Sequence, residues 1–317
     1  MRKWIRQTFI IALVGVSSLA LAQDKTLRII LPFPAGGSVD AAGRVVGEHL
    51  AKALGRTVVV ENKPGADGAI ATMAVISAPA DGSTLLFGTN TAIVGVPTLR
   101  KSPPYDPLRD LAPVSFVGRI GVYLFVRQDL PVQSLSDLLN LARSRPGTIS
   151  AGSAHSTGRL ALAQLEQLTK TSLNHIPYKG DAALMPDLVG GRLDMSVSSP
   201  IPGLELAKSG KVKLLATLLE KRNPAFPDVP TMEEAGLREF SMMAWGALFA
   251  PAGTPKAVTE RIATAARDVL GRAEVRDALE RAHFVPRGST PDELRTFVSQ
   301  QSEAWRKAVQ AAGIERE

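Results

Sequence analysis

The chain has 317 residues and no cysteine, which excludes a disulfide framework and thiolate chemistry. Its 37 basic and 30 acidic residues leave a formal charge of +7. No basic stripe interleaved with aromatics runs along it, so nothing in the pattern calls for nucleic acid.

Met1 to Ala22 reads as a secretory signal peptide. Arg2, Lys3 and Arg6 form its positive start, Phe9 to Val16 its apolar middle, and Ala20-Leu21-Ala22 the small-x-small cleavage site. Cleavage after Ala22 leaves a mature excess of only 34 basic over 30 acidic residues, a mild pull on anionic solutes. The uncharged stretch from Gln7 to Gln23 is short for a membrane anchor and Ser17 and Ser18 interrupt it. Export without disulfides suits a periplasmic protein large enough to hold itself by its core. The mature length is enough for one large or two modest domains.

The mature chain opens on Leu27 to Leu31, a short apolar run with strand character. Phe33-Pro34-Ala35-Gly36-Gly37-Ser38-Val39-Asp40 follows, and Val39 to Leu54 carries apolar residues at helical spacing. A strand, a glycine turn and a helix in that order point free backbone N–H groups, with Ser38 as the expected N-cap, at whatever lies above the turn. The helix dipole makes an anion the natural guest, and a carboxylate fits as well as a phosphate. A tight turn with no ligand has the same local pattern.

Thr57–Glu61 reads as a strand, 62–68 as a turn cluster, Ala69–Ala78 as a helix and Thr84–Gly88 as a buried strand. This βαβαβ order predicts a parallel sheet covered on both faces, with ligands outside the carboxyl ends of its strands. Asn90 stands just past the third strand and is a candidate ligand contact. Residues 97–113 read as a proline-rich surface connection. The stretch 114–126 is strand-like, broken by Gly118 and Gly121, and is where the chain is expected to cross between domains.

Alternation then resumes, with a helix over 135–145, a strand over 148–152 and a polar loop, Ser153-Ala154-His155-Ser156-Thr157-Gly158, before a helix over 159–170. Later elements are a strand from Leu173, a helix over 181–189, strands over 193–198 and 212–218, and a return crossing at 244–250. Three amphipathic helices, 255–270, 274–282 and 291–312, close the chain. The expected division is 1–22 as leader, 23–120 with 244–317 as a discontinuous first domain, and 121–243 as the second.

Six motifs in one order carry a resemblance. They are Pro32-Phe33-Pro34-Ala35-Gly36-Gly37 with Asp40 and Arg44; Glu61-Asn62-Lys63-Pro64-Gly65-Ala66 with Gly68; Tyr105-Asp106-Pro107 before Leu111-Ala112-Pro113-Val114; His175-Ile176-Pro177-Tyr178-Lys179-Gly180; Phe226-Pro227-Asp228-Val229-Pro230-Thr231; and Trp245-Gly246 before Ala250-Pro251-Ala252-Gly253-Thr254-Pro255. The chain resembles the Bug (TctC-like) solute-binding proteins of tripartite tricarboxylate transport systems. That resemblance implies an α/β, two-domain, periplasmic-binding-protein-like Venus flytrap of type II, with an interdomain ligand cleft. It implies Phe33, Ala35, Gly36 and Asp40 on one lip, and the loop carrying Ser153, His155, Ser156 and Thr157 on the other. Lys179, Gly180 and Ser199 would face the same cleft. The family often has His-Leu-Ala where this chain has Arg159-Leu160-Ala161, with His155 standing earlier in the loop.

The implied ligand is a small organic acid: a di- or tricarboxylate, an amino acid or an aromatic acid. The implied partners are the membrane subunits of a tripartite tricarboxylate transporter, with the binding protein a monomer. No cofactor or metal is expected, since His49, His155, His175 and His283 show no ligand spacing. Two other readings stay open: a ligand-binding sensor component for a membrane kinase, and a periplasmic hydrolase using Ser153, His155 and Asp40. The hydrolase lacks a Gly-x-Ser-x-Gly elbow.

Overall fold

The computed structural model describes residues 26–223, 226–240, 242–311 and 313–316. The leader and its cleavage site lie outside the described residues.

In chain order the elements are β1 (Leu27–Leu31), α1 (Ser38–Leu54), β2 (Val58–Asn62), α2 (Ala69–Ile76), β3 (Thr84–Thr89), α3 (Val96–Leu99), α4 (Pro107–Asp110) and β4 (Leu111–Ile120). Then come β5 (Tyr123–Arg127), α5 (Leu135–Ser144), β6 (Ser150–Ser153), α6 (Ser156–Thr169), β7 (Asn174–Pro177), α7 (Asp181–Val189), β8 (Met195–Ser198), α8 (Pro200–Lys208) and β9 (Val212–Thr217). The chain closes with β10 (Ala244–Pro251), α9 (Lys256–Gly271), α10 (Ala273–Arg281), β11 (Phe284–Pro286) and α11 (Pro291–Ala311).

Two sheets share one plan. The first has the order β11-β4-β10-β3-β1-β2 and the second β7-β6-β8-β5-β9. Within them β1 runs parallel to β2 and β3, and β6 parallel to β7 and β8. One strand in each core is reversed by its route: β10 is antiparallel to β3 and β4, and β5 to β8 and β9. These are the strands by which the chain enters each sheet from the other. The chain leaves β4 and β9 at their carboxyl ends, so the incoming strand arrives at that same end and must run backwards. This is the two-lobed α/β architecture of periplasmic binding proteins, with the carboxyl ends of both sheets turned toward a shared cleft.

Local chemistry sets the element ends. Ser134 and Asp137 form a reciprocal capping box that starts α5, and left-handed Gly55 closes α1. Strands β3 and β10 are buried along their whole length, as expected for strands covered on both faces. Trp245 of β10 packs edge-on against Phe297 of α11, at 5.3 Å between ring centroids, and Phe116 of β4 touches both. The terminal helix therefore seals the first lobe, and its Trp305 is fully buried.

Four expectations are corrected. Gly118 does not break β4; it pairs with Gly246 and with Pro286 of β11. A Cβ there would lie 2.5 Å from the Val285 carbonyl oxygen, so the glycine admits a neighbour strand. Residues 97–113 are not a plain surface connection. They include most of α3 and all of α4, and Tyr105 is buried with its hydroxyl donating to the Ala92 carbonyl at 2.5 Å. Ser38 is not the N-cap of α1: Gly37 holds that place and Ser38 is the first helical residue. The loop after Ser153 is shorter than expected, because α6 already begins at Ser156.

Candidate ligand-binding cleft

A cleft of about 370 Å³ opens between the lobes at the carboxyl ends of both sheets. Its first wall is the β1–α1 corner. Gly36 takes a φ of +92°, which turns the chain sharply. The Asp40 carboxylate then holds the turn from inside: Oδ2 accepts the Gly36 N–H at 3.0 Å and an Arg44 N–H at 3.1 Å. Asn62 at the end of β2 donates to Asp40 Oδ1 at 2.9 Å and to the Phe33 carbonyl at 3.0 Å. Burial pushes the Asp40 carboxyl up, but the hydrogen bonds from Arg44, Gly36 and Asn62 outweigh it and hold the group below its ordinary value.

This corner is open on its outer side. A Cβ built on Gly36 or Gly37 meets nothing within 4 Å. The first turn of α1 closes with the Ala41 N–H on the Gly37 carbonyl at 3.0 Å, so the N–H groups of Gly37, Ser38, Val39 and Asp40 have no acceptor within the helix. The Ser38 hydroxyl beside them, on a residue only 5% exposed, has no hydrogen-bond partner among the described residues. Nor has the Thr89 hydroxyl, at the end of β3 on the same wall. Buried donors without acceptors are costly, and an oxyanion is the guest that this set of donors lacks.

The facing corner, between β6 and α6, is spent on the protein itself. The Thr157 hydroxyl accepts from Asn90 Nδ2 at 2.6 Å and shares a hydrogen bond with the Thr91 hydroxyl at 2.9 Å, both from the first lobe. Asn90 Oδ1 in turn accepts the Trp245 N–H at 3.2 Å. Ser156 donates to the carboxylate of Asp67, so a first-lobe acid already sits at the start of α6. His155 caps the same helix, its Nδ1 accepting the Gly158 N–H at 3.3 Å. Ser153 pairs with His175 Nε2 at 2.7 Å and not with His155. Burial first, and the Arg159 charge second, hold the His175 imidazole below its ordinary value.

Most of the residues singled out from sequence meet at the cleft. Phe33, Ala35, Gly36, Asp40 and Asn90 line it from the first lobe, and His155, Thr157, Lys179, Gly180 and Ser199 from the second. Ser153 and Ser156 do not; they line a separate 170 Å³ cavity behind the β6–α6 loop. Asn90 reaches the wall, but its side chain is committed to joining the lobes. Asp40 shapes the loop from beneath. Several wall residues were missed. Ile120, Val122 and Ala244 stand where the chain crosses between sheets, and Asp181 follows directly on Lys179-Gly180. Thr89 had a signal in its neighbour Asn90; Ile201 had none, because no helix is expected from sequence between the strands over 193–198 and 212–218.

Comparison with known proteins identifies the family. The family model described as "Tripartite tricarboxylate transporter family receptor" (TctC) matches residues 42–314. The protein BugT of Bordetella pertussis is 35% identical over 309 residues, covering 96% of this chain and 95% of its own. Among solved structures, Rpa4515 of R. palustris with adipate superposes with a TM-score of 0.84 at 30% identity, covering 92% of this chain and 98% of that one. MatC (Rpa3494) of Rhodopseudomonas palustris with bound malate gives a TM-score of 0.79 at 30% identity, covering 90% and 98%. The chain belongs to the tripartite tricarboxylate transporter receptor family, the TctC or Bug solute-binding proteins.

Proposed function

We propose that this protein captures a small organic acid in its interlobe cleft and presents it to the membrane subunits of a tripartite tricarboxylate transporter. One observation carries the reading. The β1–α1 corner places helix residues whose N–H groups have no acceptor within the helix, beside the unpartnered Ser38 hydroxyl, on the wall of a cleft sized for a small solute. A ligand carboxylate supplies the missing acceptor. The adipate and malate held by the two solved relatives are acids of that kind.

The topology supports a working cycle. The lobes, taken as 23–120 with 244–317 and as 121–243, close over the acid by bending where the crossover strands meet, and the closed population is what a transporter would read. The leader read at Met1–Ala22 directs the protein to the periplasm as a monomer. No described helix is long and apolar enough to cross a membrane. We read the capture as binding without chemistry: Ser153 pairs with His175 and not with His155, and it lines the cavity behind the β6–α6 loop, not the cleft.

A thermal-shift screen of the mature protein against small organic acids tests the reading, because a ligand that binds only the folded state raises its melting temperature. At least one acid should bind with a dissociation constant at or below about 1 μM, roughly −8 kcal/mol, by calorimetry. A screen in which neutral amides or sugars bind and acids do not would overturn it, as would turnover of generic esters.

A further inference from the structure

The two walls of the cleft carry opposite hydrogen-bonding character. The first-lobe corner presents donors, its own Asp40 carboxylate being engaged from inside by Gly36, Arg44 and Asn62. The second-lobe wall holds a carboxylate, Asp181, the first residue of α7. Ser199 directs both its hydroxyl and its N–H, the latter at 3.4 Å, to Asp181 Oδ2. The other oxygen, Oδ1, is shut away from solvent and has no hydrogen-bond partner among the described residues. Its neighbours on the wall, Gly180, Ala182 and Ile201, have no side-chain donor to offer. Lys179 carries the wall's positive charge, but its side chain is exposed at the rim.

As the side chain stands, Oδ1 is closed to a guest as it is to solvent, so a guest meets Asp181 as a wall charge whose Oδ2 is engaged by Ser199, and a bare carboxylate or alkyl chain brought against that charge is unfavourable. A donor on the guest reverses the sign, because hydrogen bonds to a charged acceptor are among the strong ones. Resting on the carboxylate-capture reading, we propose that Asp181 selects organic acids that carry a hydrogen-bond donor, a hydroxyl or an ammonium, over their unsubstituted parents. The guest's carboxylate lies on the α1 corner and its donor turns toward Asp181. A second carboxylate, where the guest has one, turns outward to Lys179.

Matched series test this on the full mature protein, stripped of endogenous ligand by unfolding and refolding. Calorimetry compares propionate, lactate and alanine; succinate, malate and aspartate; and glutarate, 2-hydroxyglutarate and glutamate. In each series that binds, the donor-bearing members should be tighter than the parent by about tenfold or more. A lead for the amino acid identifies ammonium as the donor, and a lead for the hydroxy acid identifies the hydroxyl. Asp181→Asn and Asp181→Ala, shown by circular dichroism to be folded, should bring parent and donor-bearing acids to within about threefold, since the charged acceptor that gives the preference is gone. Parents binding as tightly as their substituted partners, or a preference that survives both substitutions, would overturn the assignment of Asp181 while leaving carboxylate capture intact. Failure of every acid in every series would overturn both.

Discussion

The two strand-to-helix corners that face each other across the cleft are built alike and used differently. At the first, the polar groups beneath the loop serve to hold it open: Asp40 and Asn62 bind the turn from inside, and its outer N–H groups are left without acceptors. At the second, Thr157 and Ser156 reach across to Asn90, Thr91 and Asp67 of the other lobe. A helix start that already has an acid on it has less to offer a ligand. The same local motif thus leaves donors open on one side and makes a joint on the other.

The largest test of this contrast is Gly37→Val. Gly37 has φ −91° and ψ 174°, which valine adopts without strain, and its Cβ would enter open space. The fold and melting temperature should stand while acid binding falls by about 100-fold or more, near 2.7 kcal/mol, by calorimetry. Unchanged affinity would mean that the guest does not approach this corner. Next comes Thr157→Val, which keeps the shape and strands Asn90 in a buried site. It should destabilise the protein by about 1–3 kcal/mol in denaturant melts, with a smaller effect on affinity. A collapse of binding without loss of stability would show that the second corner also grips the ligand.

Asp40→Asn keeps the size of the side chain and removes its charge. It should loosen the first corner by about 2 kcal/mol and weaken binding in proportion. The pH dependence has a definite sign. The Asp40 carboxyl lies below its ordinary value when folded, so its contribution is complete above about pH 4 and is lost only as pH falls through the lower folded value. The smallest expected effect is at His175. Its folded value is depressed, so the unfolded chain takes up the proton first, and stability declines as pH drops below about 6.5. His175→Gln should flatten the melting-temperature curve between pH 7.5 and 5. A curve that keeps its slope would place that sensitivity elsewhere, with the similarly depressed His283 the next group to examine.

Much of the first corner was legible because its logic is local. Leu27–Leu31 is a strand over the very residues that the apolar run marks, and Gly180 and Gly190 bracket α7 as they bracket the helical pattern. Where proline reads as a stop but serves as a helix start, the sequence misled: α8 begins at Pro200, and no helix is expected from the sequence between the strands over 193–198 and 212–218. Strand β11 was missed because three residues show no alternation; its place is set by the space that Gly118 leaves. The second corner's role was illegible for a different reason. Asn90 and Thr157 are 67 positions apart, and no periodicity tells that one hydroxyl will be claimed by another lobe.

The reversed strands β5 and β10 leave their mark on the mechanics of the molecule. Ile120 and Val122 flank the outward crossing and Ala244 opens the return, and all three line the cavity. Under the hinge-closing cycle proposed above, the pivot is part of the chamber it shuts, and a bulky guest leaning on Val122 and Ala244 would wedge the axle directly, its girth setting the angle at which the jaws come to rest.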